Sequence, residues 1–305
     1  FGVLGVALIY RLGRRGLGTG PGWIAALLLT FQPFHVYYSQ DARPYTLMPV
    51  EAMLMIYSFD RLCHDRRLRW WLAFGVTGIL SVLTHQGMAF IVVALCVYLL
   101  LHARAHRQML VPWFGGLALV GLAMAIWVLS SRMARLARRV LMGFSWQRFL
   151  ERLPIAQGML RDVVFNINWR PPPEWLTLMA VLVVCGVLIA ILRYRWRTLY
   201  PGGAWLLPAW LVVPTLILIL VPEMLEARYN AAIVPAYCLL LALVVAGCWR
   251  HKYTRLLAPI VLGLLLYMQI TPLAAKWDWI KSDYGHVMRY LHQQVRPGDA
   301  LILNG

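Results

Sequence analysis

The sequence predicts an all-α polytopic membrane protein with about ten membrane segments. Three observations carry that expectation. The 305 residues are 61% hydrophobic and only 13% charged, with a mean hydropathy of +0.66, whereas a soluble domain is about half apolar and a quarter charged. Apolar runs recur along the whole chain. The loops between them alternate between arginine-rich and arginine-poor, as positive-inside insertion requires.

The first run, Phe1–Tyr10, is too short to cross a bilayer, which takes about 20 residues. It reads as a stub left where a longer protein has been cut, leading into a basic loop, Arg11-Leu-Gly-Arg-Arg15. The next runs are Trp23–Tyr38, Tyr45–Phe59, Trp70–Leu83, Met88–Leu101, Leu110–Leu129, Leu176–Leu192, Ala204–Val221, Ala231–Trp249 and Leu256–Ala275, several of them nearer 15 than 20 residues, so that their helices extend into polar flanks. Residues 1–275 form the membrane region on this reading, and 276–305 open a small extracytoplasmic α/β domain. In that tail Trp279, Val287, Tyr290 and Leu291 make the apolar stripe of one amphipathic helix, and Pro297-Gly-Asp299 turns into a strand.

Loop charge sets the orientation. Arg11, Arg14 and Arg15, then Arg61, Arg66, Arg67 and Arg69, then Arg104 and Arg107, then Arg193, Arg195 and Arg197, and finally Arg250, Lys252 and Arg255 fall in alternate loops, the cytoplasmic set. Ser39–Arg43, His85–Gly87 and Glu223–Tyr229 are short, weakly charged and extracytoplasmic. The loop 130–174 also lies outside, despite eight arginines, because long loops escape the rule. Arg132, Arg135 and Arg139 recur at helical spacing there. Met133–Leu153 therefore reads as a basic amphipathic helix on the membrane surface, either a solvated face or a lid over a phosphate-bearing substrate.

The net charge of +17 answers to cytoplasmic loops and anionic lipid headgroups, not to nucleic acid. The five cysteines make no metal or redox spacing. No Walker loop or dinucleotide fingerprint occurs; Gly16-Leu-Gly-Thr-Gly20 lacks a preceding strand.

Chemistry concentrates in Pro33-Phe-His-Val-Tyr-Tyr-Ser-Gln-Asp-Ala-Arg-Pro-Tyr45, where Tyr38, Asp41, Arg43 and Tyr45 crowd one outer turn. An aromatic belt around a capped turn explains the tyrosines; a headgroup site also explains the acid and the guanidinium. His85 reads as a turn residue or a ligand. Glu226-Ala-Arg228-Tyr229 repeats the acid–arginine–tyrosine pattern, with a local salt bridge as its simpler reading. Glu51 lies too deep for interfacial chemistry and reads as a packing residue.

Tyr38-Ser-Gln-Asp-Ala-Arg-Pro-Tyr45 resembles the YSxEARxY signature of bacterial polytopic GT-C glycosyltransferases. This group is related to protein O-mannosyltransferases, the lipid A aminoarabinose transferase and Rgt-type galacturonosyltransferases. Leu83-Thr-His85 is similar to its THxxG element, Ala227-Arg-Tyr229 with Pro235 to its RY…P element, and Trp277-Asp-Trp279 with Pro297-Gly-Asp299 to the approach to its outer domain. The resemblance implies a GT-C-like bundle in a bacterial inner membrane, multi-pass, with its active side extracytoplasmic. It implies inverting transfer from a polyprenyl-phosphate sugar donor to an extracytoplasmic acceptor, whether lipid, glycan or protein. It makes Asp41 a secondary acidic group and places the main catalytic aspartate upstream of Phe1, which would leave this piece inactive by itself. Substrate-binding candidates are Arg43, Tyr38, Tyr45, His85, Arg228, Tyr229 and, from the long loop, Arg135, Arg138 and Arg139. The one candidate cofactor is a divalent metal ion, without assigned ligands. The competing expectation is a transporter, or a flippase or polymerase for lipid-linked saccharides.

Overall fold

A computed structural model describes residues 1–40, 43–104, 106–130, 146–165, 171–192, 205–220, 227–250, 252–275 and 284–294, and these form helices joined by short turns, with no strand among them. In order the helices are α1 (Gly2–Gly16), α2 (Thr19–Phe31), α3 (Pro33–Ser39), α4 (Leu47–His64), α5 (Leu68–Thr84), α6 (Ala89–Leu101) and α7 (Arg107–Ser130). There follow α8 (Trp146–Phe165), α9 (Pro173–Leu192), α10 (Leu206–Leu220), α11 (Val234–Arg250), α12 (Leu257–Ala274) and α13 (Tyr284–Gln294). Short 3₁₀ turns, Pro44–Thr46, Gln86–Met88 and Ala227–Ile233, stand before α4, α6 and α11.

Among the described residues two helical stretches, Arg228–Arg250 and Leu257–Ala274, are long and apolar enough to cross a membrane, and five shorter apolar helices of 10–17 residues accompany them. The expected strand after Asp299 and the helix start at Met133 lie outside the described residues. What is described of the amphipathic stretches is α13, within the expected tail helix, and α8, which carries the outer-loop helix on to Phe165.

Two expectations are corrected. The basic stretch Arg11–Arg15 is not a loop but the last turn of α1. Its arginines share the chain with Leu12 and Gly13, which are buried on the opposite face, so the segment is amphipathic rather than uniformly polar. The run Trp23–Tyr38 is not one helix but two, α2 and α3, broken at Gln32. Proline disfavours the helical conformation of the residue before it, and Gln32 is extended (φ −68°, ψ 117°) with Pro33 at the first position of α3. The Gln32 side chain then caps α3: Oε1 accepts from the His35 N–H at 2.5 Å, while Nε2 donates to the Val163 carbonyl at 2.6 Å and ties α8 to the break.

The turn from α1 to α2 depends on glycine. The Leu17 and Gly18 N–H groups both donate to the Gly13 carbonyl, at 2.7 and 3.0 Å. Gly18 then takes φ 113°, a region that side chains avoid. The two helices leave the turn in backbone contact, because a Cβ on Gly22 would stand 2.7 Å from the Arg14 nitrogen and 3.0 Å from the Tyr10 carbonyl oxygen. Small residues let helices approach this closely where apolar surroundings supply little drive for association.

Basic segments gather at one end of the bundle. Arg15 Nε donates to the fully buried Asp60 carboxylate at the end of α4, and Arg66 donates to Gln108 of α7. Asp60 is a buried carboxylate that the hydropathy reading passed over, because it follows the apolar run directly. Removing one partner of a buried ion pair costs about 3–5 kcal/mol, and the pair fixes the end of α1 on α4.

Gly22→Ala is expected to cost about 1–3 kcal/mol through overpacking against backbone that cannot give way. A lower unfolding temperature of the detergent-solubilised variant is the check; an unchanged value would show that α1 and α2 do not pack this closely.

Candidate functional site

At the opposite end the three 3₁₀ turns meet. The first presents Tyr45, two residues after the exposed Arg43. Tyr45 is buried and its ring packs edge-on against Tyr38, with centroids 5.0 Å apart. Tyr38 is only 4% exposed and stacks in turn on Phe34 at 4.5 Å. The Thr46 hydroxyl donates to the Tyr38 carbonyl, closing α3 onto the start of α4. Tyr38 and Tyr45 are therefore both buried in the cluster, while Arg43 is exposed.

The second turn presents His85, whose Nδ1 accepts from the Gly87 N–H at 3.0 Å and caps the 3₁₀ turn. Its ring lies 6.4 Å from Tyr45 and 4.8 Å from Tyr229, tilted by 31° to the latter. From the third turn the Arg228 guanidinium sits 5.9 Å from the Tyr45 centroid and 5.4 Å from that of Tyr229. Cations so placed over phenol faces are held by the ring quadrupole. Tyr45, His85, Arg228 and Tyr229 thus form one cation–aromatic cluster from residues up to 184 positions apart.

The cluster has built supports. Trp210 Nε1 donates to the Ala232 carbonyl at 3.0 Å, pinning the third turn to α10. Buried Asn230 donates to the Met159 sulfur at 3.1 Å, pinning the same turn to α8. Arg152, a basic residue of the long outer loop, donates to the Leu220 carbonyl at 3.1 Å at the end of α10. No sequence motif marks Trp210, Asn230 or Arg152 as supports. A buried indole and amide must find partners, which was the available signal.

Glu51 keeps its packing role. It is buried in α4, and its Oε1 accepts from the Thr84 hydroxyl at 2.8 Å, just before His85. Asp41, Arg135, Arg138 and Arg139 lie outside the described residues. Among the described residues no group of three or more His, Cys, Asp or Glu is placed to hold a metal ion. The positive charge available to an anion here is that of arginine side chains, whose forked donors match phosphate oxygens.

Residues 1–130 match the family described as dolichyl-phosphate-mannose-protein mannosyltransferase. The matched stretch, less than half of the chain, is similar to that family. It holds the first two turns of the cluster, with Arg43, Tyr45 and His85, and it supports a GT-C-type glycosyltransferase family like the protein mannosyltransferases. The likeness is to membrane glycosyltransferases that draw on lipid-linked sugar donors. Arg228 and Tyr229, outside the match, reach the mannosyltransferase-family segment only through the fold. No curated protein and no solved structure matches the chain.

Burial, reinforced by the Arg228 charge, holds the His85 imidazole below its ordinary value of 6.5. The folded protein therefore resists protonation there more than the unfolded chain does. The stability that neutral His85 contributes is complete above about pH 6.5 and is lost as pH falls from there toward the depressed folded value. His85→Gln is expected to lose less thermal stability than the wild type between pH 7.5 and pH 5, measured by unfolding in detergent. Parallel losses in both proteins would assign the acid sensitivity to other groups.

Proposed function

We propose that the protein transfers a sugar from a polyprenyl-phosphate-linked donor to an extracytoplasmic acceptor, at the outer end of the bundle in a bacterial inner membrane. The observation that carries this is the meeting of Arg228 with Tyr45, His85 and Tyr229, beside Arg43, in a chain with a mannosyltransferase-family segment. Such a reaction needs a cation at the leaving phosphate and apolar or aromatic walls against water. The cluster supplies both.

In the proposed reaction an acceptor hydroxyl oxygen attacks the anomeric carbon from the face opposite the glycosyl–phosphate bond. That bond breaks as the new C–O bond forms, inverting the centre, and the electron pair leaves with the polyprenyl phosphate. Arg43 and Arg228 hold the leaving phosphate, whose developing charge they stabilise. Tyr45 and Tyr229 wall the sugar, with Tyr38 behind them, and neutral His85 keeps Tyr229 in place. The acceptor proton goes to a general base, which the family resemblance places upstream of Phe1. Asp41 orients the acceptor or a divalent cation. Arg135, Arg138 and Arg139 belong to a basic segment that closes over the donor.

Arg228→Lys in the full-length protein keeps the charge and loses the fork. Loss of a charge-assisted hydrogen bond is worth about 1.5–3 kcal/mol, so donor affinity should fall at least roughly tenfold while membrane insertion is unaffected. Unchanged affinity in both Arg228→Lys and Arg43→Lys would leave these residues as structural ion partners. Replacing Arg135, Arg138 and Arg139 together by Gln should raise KM for donor by up to roughly 1 kcal/mol per charge. An effect confined to the acceptor would assign the segment to the other substrate. Labelled donor bound without turnover would favour the transporter reading.

A further inference from the structure

At the basic end, away from the cluster, a groove of about 510 Å³ opens between the start of α2, the end of α11 and the start of α12. Its floor is apolar, with Ile24, Val245 and Leu262. Its rim carries two exposed indoles, Trp23 and Trp249, together with Arg250. Further cations stand beside the rim. The Arg255 guanidinium lies 5.1 Å from the Trp249 ring. Arg14 lies 5.5 Å from Tyr10, which packs on Trp23 at 4.5 Å. Exposed Lys252 is in the connection between α11 and α12. The α2 N-terminus at the groove has no side-chain cap; Thr19 and Gly20 carry the N–H groups of its first turn, since Pro21 has none and the Gly22 N–H donates to the Gly18 carbonyl at 3.1 Å.

We propose that this groove binds one anionic phospholipid of the leaflet that the basic end faces, with the phosphate among Arg250, Arg255 and the α2 N-terminus and an acyl chain on the apolar floor. Charge complementarity selects the ligand. The rim gathers cations, while the floor supplies apolar surface that a free anion leaves bare. Interfacial indoles are the side chains expected at headgroup depth. The site is remote from the outer cluster, and the proposal stands whether or not the transferase reading holds.

Gly20 provides a clean probe, because it lines the groove and a Cβ there meets nothing within 4 Å. The purified full-length protein is incubated with equal amounts of dioleoyl-phosphatidylglycerol and dioleoyl-phosphatidylcholine, and lipids retained are counted by native mass spectrometry. The wild type should retain phosphatidylglycerol preferentially, Gly20→Phe should lose that lipid, and Arg255→Gln should weaken retention roughly fivefold, the worth of one basic residue at an anionic surface. Thermal unfolding checks that Gly20→Phe is folded; if it is not, Arg255→Gln on the exposed rim decides alone. Equal retention of the two lipids, undiminished phosphatidylglycerol in the variants, or its displacement by millimolar inorganic phosphate would overturn the proposal.

Discussion

The fold is organised by the burial of one helix on all its faces. In the two stretches long enough to span a membrane, 89% of the window around α11 is buried inside the protein, against 28% for α12. Residues Leu239–Leu243 are fully buried. A helix apolar all round has no face to give to water, and here it has almost none to give to lipid either. Its neighbours α2, α9, α10 and α12 must therefore each turn an inner face toward it. α12 serves as an outer stave, with Ile260, Leu264 and Tyr267 directed away from the core.

This central position explains how the outer cluster holds together. The turn carrying Arg228 and Tyr229 runs straight into α11, so the most constrained helix sets the position of the guanidinium. The turns of Tyr45 and His85 lead into α4 and α6, which belong to a different part of the chain. The three meet because each stands at the start of a helix that runs toward the basic end, and each is short enough to stay close to its axis. The aromatic stacking then links the turns laterally, and Trp210 and Asn230 hold the third from behind.

Much of this was legible in the residues. Apolar runs located most helices to within a few positions, since period and length survive any tertiary context. Arginine alternation foretold which loops share an end: Arg15 meets Asp60, Arg66 meets Gln108, and the arginine-poor turns of Tyr45, His85 and Tyr229 converge. The Gln32 break was missed because hydropathy averages over a proline whose effect is purely conformational. The last turn of α1 was missed because three arginines outweigh one buried leucine in a hydropathy sum, although they occupy different faces. Asp60 was missed for a third reason. A carboxylate one residue past an apolar run looks like loop, and only the arrival of Arg15 from another helix makes burial tolerable. The supports of the cluster are long-range contacts, which no local pattern encodes.

The pairing of Arg15 with Asp60 has a consequence for how the protein is made. Its partners are 45 residues apart, and chains are synthesised at about 5–20 residues per second. Arg15 therefore leaves the ribosome roughly 2–9 seconds before its counter-charge. During that interval α1 and α2 can already meet through the close approach at Gly13 and Gly22 and the packing of Tyr10 on Trp23, with the guanidinium left to water and headgroups. The carboxylate is synthesised last, at the end of α4, after both of the helices it closes upon. Order of synthesis therefore makes the cation available before Asp60 needs it, and the ion pair joins a segment made early to one made late.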